Sequence, residues 1–401
     1  MKINRQHLPT DIWALGLVSL FMDTSSELVH GLLPVFLVTS LGASLTTLGI
    51  LEGLAEATTL VLKVFSGTIS DWLGKRKLLI VIGYAMGALS KPVFAVANSI
   101  SVVFGARLFD RVGKGIRGAP RDALVADLVP SELRGRAFGL RQSLDTVGAF
   151  LGPILAIFLM HAFENNFRTV FWIATVPGLL AVCILLFAVH EKKGEVETIV
   201  KRAIRFKDVG QFRPAFWFVV VVGSVFQLAR FSEAFLILRA KDFGLGLAFS
   251  PVVLIVMNLV YALSAYPVGF LSDKMNREWF LALGLFLLCL ADAILALGGN
   301  LVFILIGISL WGLHLGLTQG TLAALVADTC PSTLRGTAYG IFNFFSAGAL
   351  LLASIVAGSL WDHAGAKFTF LTGGAFAFLS LILLLMTRSY WGSKDLSNPN
   401  Q

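Results

Sequence analysis

The chain has 401 residues, 56% of them hydrophobic and only 14% charged, with a mean hydropathy of +0.81. A soluble domain carries about 25% charged residues, so composition excludes a large soluble core and indicates an integral membrane protein. The net charge of +8 reads as cation-rich loops on one side of a bilayer rather than a nucleic-acid surface.

The chain opens with Lys2 and Arg5, and the apolar run that follows holds Asp23 and Glu27 without a small-residue cleavage site. It is read as a retained first helix, not a signal peptide. A spanning helix needs about 20 mostly apolar residues. Counting runs gives spans at 12–40, 46–70, 77–97, 99–127, 136–160 and 168–190, then 215–239, 249–271, 278–297, 300–328, 336–360 and 367–389. The expected fold is therefore all-α, with twelve transmembrane helices in two pseudo-symmetric six-helix bundles, 1–190 and 214–401, joined by a linker at 191–213. That linker carries Lys192, Lys193, Lys201, Arg202, Arg205 and Lys207, and it reads either as a tether or as a basic segment against anionic headgroups.

The two bundles are copies. Residues 123–139 recur at 324–340, with twelve of 17 positions identical at an offset of 201. A second echo pairs 67–71 with 269–273, so the halves run in the same sense. Loop cations set the orientation. Lys75, Arg76, Lys77, Arg134, Arg136, Lys274, Arg277, Arg335 and the linker share one side with both termini, and that side is expected to be cytoplasmic. Cys183, Cys289 and Cys330 show no metal or disulfide spacing and are expected to be plain buried thiols.

Residues 67–77, from Gly67 through Asp71 and Gly74 to Lys75, Arg76 and Lys77, follow a Gly-x-x-x-Asp-x-x-Gly-basic-basic pattern. With twelve spans in two parallel halves, this resembles the major facilitator superfamily of secondary transporters. The resemblance implies a cytoplasmic latch of Gly67, Asp71, Lys75 and Asp127, echoed by Asp273 and Arg277, where Asn276 replaces the second glycine. Arg107, 20 residues before Asp127, matches the family's fourth-span arginine, to which substrate binding or proton coupling is assigned; Asp110 and Arg111 stand where a Gln-Gly pair is common. Gly148, Gly152 and Pro153 are similar to the family's antiporter motif. Physically, the glycines permit close helix approach and the proline frees a carbonyl and bends the helix; ordinary small-residue packing is the alternative.

Charges inside the spans carry the functional reading, because each costs roughly 2.5–3.5 kcal/mol at a helix centre on insertion scales and is expected to face a cavity and pair. Asp23, Glu27 and His30 form one stripe, Glu52, Glu56 and Lys63 another; Lys91 precedes Pro92, and Arg141 and Asp145 are i, i+4. On the fourth span Arg107, Arg111, Lys114, Arg117 and Arg121 step along one face. The second half is sparser, with Arg230, Glu233, Asp292 and His314. Arg107, Arg111 and Lys114, with Asp110, are the candidate solute-binding residues; Asp23, Glu27, Glu52, Glu56 and Asp145 are the candidate proton carriers. Two blander readings stand beside this: a neutralised structural lattice, and a wet cytoplasmic mouth for Arg117 and Arg121.

The sequence thus points to a transporter of a small organic solute, anionic or chelate-like, coupled to protons by alternating access, with antiport or efflux as the expected direction. A multidrug effluxer of lipophilic cations and a non-transporting membrane sensor are the competing readings. No nucleophile–base pair, nucleotide loop or metal cluster is visible, so neither an enzyme, a metal site nor a cofactor is expected. The expected partners are the solute, protons and the bilayer, with no nucleic acid, and the expected state is a monomer in a plasma (bacterial inner) membrane.

Overall fold

The computed structural model of the protein describes residues 8–73, 75–130, 133–191, 212–272, 275–331 and 334–387, apart from the side chains of Thr68, Asp71, Tyr266 and Phe270. The latch residue Asp273, the Asp71 side chain and linker residues 192–211 therefore lie outside the described residues.

Among the described residues every regular element is a helix. Helix α1 (Thr10–His30) and α2 (Leu33–Ser40) form the first span. They are followed by α3 (Leu45–Leu73), α4 (Arg76–Val96), α5 (Ile100–Leu128), α6 (Arg134–Ala162) and α7 (Phe167–Ala188). In the second half α8 (Pro214–Ala229) and α9 (Ala234–Asp242) form the seventh span, before α10 (Val252–Ser272), α11 (Arg277–Leu297), α12 (Leu301–Asp328), α13 (Arg335–Ala364) and α14 (Ala366–Thr387). The fold is all-α, with twelve membrane-spanning segments.

Ten of these segments are long and apolar enough to cross a membrane. The other two, α3 and α5, are 29 residues each and carry ionised residues along their length, including Glu52, Glu56, Arg107, Asp110, Arg111 and Lys114. A helix that charged is tolerated in a bilayer only when its polar face is turned away from lipid. Side chains such as Phe158, Phe187, Phe344 and Met386 are exposed, as a lipid-bathed surface requires.

Two spans differ from the expected continuous helices. The first breaks at Gly31–Leu32 and the seventh over Arg230–Glu233. Gly31 and a proline at Pro34, which cannot donate to the preceding turn, account for the first break. At the second, Ser232 N donates to Ser354 Oγ of α13 at 3.2 Å and the Ser232 hydroxyl accepts from Ala234 N, so side chains replace the missing helical bonds. Cys183 also departs from expectation: it is exposed, while Cys289 and Cys330 are half-buried, and all three are free thiols.

The described residues group into two units. The first holds those up to Ala43, those from Leu54 to the linker, and Gly246–Val252; the second holds Ser44–Gly53, those from the linker to Leu245, and those from Val253 onward. In the first, α1 packs on α6 and α7, and α4 on α5 and α7; in the second, α8 packs on α13 and α14, and α11 on α12 and α14. The duplication in the sequence is thus a duplication of packing. Ser44–Gly53 is the start of α3, where Asp362 of α13 accepts from Leu45 N and Thr46 N at 3.0 and 2.7 Å and so caps that helix.

Candidate functional site

The site begins with backbone contact between α4 and α5. A Cβ at Gly113 would lie 2.6 Å from Gly83 O, and one at Gly83 would lie 2.5 Å from Gly113 O. Only two glycines allow that approach, and it brings Lys91 of α4 to Asp110 of α5. Lys91 Nζ donates to Asp110 Oδ1 at 2.8 Å and the Ser90 hydroxyl reaches the same oxygen at 3.3 Å. Asp110 Oδ2 faces Arg111 Nε at 3.8 Å, and Arg111 Nη1 reaches across to Glu56 of α3 at 3.3 Å. Arg107 lies within electrostatic range of both Glu56 and Asp110. All of these cations are buried, so their charges are met by carboxylates rather than by water.

Lys114 is different. It is exposed although Gly113 and Gly115 on either side are buried. It acts electrostatically on Asp23 and Glu27 of α1, Glu56 of α3 and Asp145 of α6. Four acids from three helices thus lie within electrostatic range of one exposed lysine. Glu56 and Asp145 are partly exposed, at 35% and 23% of their side chains. Asp23 and Asp145 lie within hydrogen-bonding reach of one another, and Glu27 is paired with His30 at 3.4 Å. Glu52 is buried on the stretch of α3 that belongs to the second unit.

Farther along α5 the stripe changes character. Arg117 lies over the Tyr84 ring at 4.3 Å, a cation–π contact. Arg121 Nη1 donates to Tyr84 Oη at 3.3 Å and Ser19 Oγ at 3.4 Å, and it faces Asp145 at 3.9 Å. Arg141 of α6 stands 3.7 Å from the same carboxylate. These arginines bind the helices together. Neither is a wet residue at a mouth: Arg117 is 5% exposed and the Arg121 side chain 16%.

At the other end of α5, Asp127 pairs with Arg76 at 2.9 Å. Lys75, expected in that role, is the exposed residue before α4; the helix begins at Arg76, and its first turn is what meets the end of α5. In the second unit Arg277 pairs with Asp328, the same two positions 201 residues on. Gly67 lies against Ala119 of α5. On α6, Gly148 and Gly152 lie against the α1 backbone, and the helix continues through Pro153.

The family model described as Major Facilitator Superfamily matches residues 15–353 and, again, 231–398. An uncharacterized MFS-type transporter of Methanocaldococcus jannaschii is 31% identical over 390 residues, covering 95% of this chain and 96% of its own. The chain belongs to the major facilitator superfamily. A partial likeness joins it to the quinolone resistance protein NorA of Staphylococcus aureus, 31% identical over 166 residues, or 41% of this chain and 42% of that one. Among solved structures, a POT family transporter in complex with 5-aminolevulinic acid superposes with a TM-score of 0.80 at 14% identity, covering 96% of this chain and 97% of the other. That likeness shows the fold alone; the family model and the Methanocaldococcus relative, with the apolar spans, make this an integral membrane protein of a transporter family.

Within that family frame, sequence reasoning missed Arg76, Asp328 and Tyr84. It also missed Lys77, whose Nζ donates to Leu186 O and Val189 O and so caps the end of α7. The signal for Arg76 and Asp328 was present, because both stand at the duplication offset from residues already singled out.

Proposed function

We propose that the protein is a proton-coupled secondary transporter of a small organic anion, working by alternating access, with efflux by antiport as its direction. Lys114 carries this reading. Of the stripe on α5 it is the cation left accessible, whereas Arg111 is committed to Glu56 and Asp110. An exposed ammonium within electrostatic range of four acids is a switchable anchor. An incoming carboxylate or phosphate takes the lysine's charge, and the displaced carboxylates are then stabilised by protons. The Asp23–Asp145 pair supports the proton half of the cycle, since two carboxyl groups hydrogen-bond to each other only when they share a proton. We place the protein in a plasma (bacterial inner) membrane as a monomer with both termini cytoplasmic, on the strength of its loop cations.

Purified protein tests the solute class by thermal shift against organic phosphates, di- and tricarboxylates, metal chelates and lipophilic cations. Anions should raise the melting temperature, and Lys114→Gln should weaken the preferred anion about tenfold or more, which is about 1.4 kcal/mol. The likeness to NorA favours a second reading, an effluxer of lipophilic cations held by Glu27, Glu56 and Asp145. Stabilisation by cations alone would decide for it. In reconstituted vesicles, solute addition should change internal pH, and Asp23→Asn should abolish that change while anion binding persists. An unaltered pH response in Asp23→Asn removes the pair from the coupling step.

A further inference from the structure

In the second unit, Asp292 of α11 is enclosed completely, at 0% exposure. Its Oδ1 accepts from Trp311 Nε1 of α12 at 3.1 Å, and its Oδ2 has no hydrogen-bond partner among the described residues. Gly373 of α14 makes room for that second oxygen, since a Cβ there would sit 2.7 Å from it. The carbonyl of Ala229 lies 3.5 Å from the same point. Ala229 is the last residue of α8, where the seventh span breaks, so its carbonyl is among those left without an intrahelical donor. The unpartnered carboxyl oxygen and this carbonyl thus both border the space that the missing Cβ of Gly373 leaves.

The charged and titratable groups around Asp292 do not supply a counter-charge. Among the described residues no lysine, arginine or histidine forms an ion pair with it. His314, also on α12, meets Trp311 edge-on at 4.8 Å, and Arg230, at the break, lies over Phe226 at 5.7 Å. Cys289 on α11 donates to Gly374 O of α14.

The duplication says what is missing. Counting back 201 residues, Asp292 falls on Lys91 and Trp311 on Asp110, the pair that meets at 2.8 Å in the first unit. Both units therefore place a donor–acceptor pair at the same two positions, with the acceptor moved to the other helix. In the first unit the pair is a cation and an anion. In the second, the indole satisfies a hydrogen bond but brings no charge, and an isolated carboxylate buried that deeply is too costly to persist.

We propose that Asp292 is a proton-binding site, its carboxyl neutralised by a proton on Oδ2 at the position where Lys91 stands as a cation in the first unit. The site is separate from the Asp23–Asp145 pair and holds whatever the solute.

Infrared spectra of the full-length protein at neutral pH, wild type against Asp292→Asn, test it directly. The wild type should show a carboxylic-acid C=O stretch that the variant lacks, and the variant, an isostere of the neutral acid, should melt near the wild type. Loss of carboxylate bands instead of the acid band overturns the proposal. Should Asp292→Asn fail to fold, Trp311→Phe gives the same information: removing the bond to Oδ1 should move the acid band to higher frequency, and the absence of any acid band that responds overturns it.

Discussion

Asp110→Leu should be among the most destabilising single substitutions in the first unit, at about 3–5 kcal/mol, the usual cost of stranding a buried charge. The reason is Lys91, whose ammonium is 2% exposed and meets Asp110 at 2.8 Å. With the carboxylate gone, that buried charge loses its carboxylate partner. The reverse change, Lys91→Met, should cost less, because Asp110 keeps Arg111 Nε at 3.8 Å. Removing both charges together, in Lys91→Met/Asp110→Leu, should recover much of what Asp110→Leu loses, since no uncompensated charge remains. Thermal unfolding of the four proteins in one detergent gives the coupling between the two sites. A double variant as unstable as Asp110→Leu would mean that the pair is not what holds α4 and α5 together.

That asymmetry bears on what could be read in advance. The duplication, the twelve spans and the face shared by Arg107, Arg111 and Lys114 follow from spacing and composition, which survive without knowledge of packing. The difference among those three cations does not. Lys114 is open and Arg111 closed because of where α3 and α6 pass, and a helical face specifies an angle but not a neighbour. The breaks at Gly31–Leu32 and Arg230–Glu233 were hidden for a related reason: the apolar run continues across them, and only Ser354 and the end of α8 show how the second is satisfied. The correspondence of Lys91 and Asp110 with Asp292 and Trp311 escaped comparison of the halves because the residue types differ, and geometry is what makes them equivalent. The motif that the chain resembles offers two adjacent basic residues, and Arg76 rather than Lys75 meets Asp127 because α4 begins there and one residue is 100° of helical rotation.

Gly148→Val should disable the protein from the opposite side of the site. A Cβ at Gly148 would lie 2.3 Å from Leu20 O and 3.0 Å from Leu20 Cα, backbone atoms that cannot rotate away. One turn on, a Cβ at Gly152 would lie 2.6 Å from Glu27 Cβ and 2.9 Å from Thr24 O. Gly148 and Gly152 are i, i+4 on α6, and the turns of α1 that they admit begin at Leu20 and Thr24, also i, i+4. The small-residue motif thus seats α1, which carries Asp23 and Glu27, against α6, which carries Asp145. Overpacking costs typically about 1–3 kcal/mol, and a branched side chain against backbone belongs at the upper end. The loss should not stop at stability, because parting α1 from α6 also parts Asp23 from Asp145 and from Lys114. We expect Gly148→Val to lower the melting temperature and to abolish the thermal shift given by the preferred anion. Gly139→Ala, on the same helix with nothing within 4 Å of its Cβ position, should leave both readings unchanged. A Gly148→Val protein with wild-type melting and an intact anion shift would show that the contact between these two helices does not position the acids around Lys114.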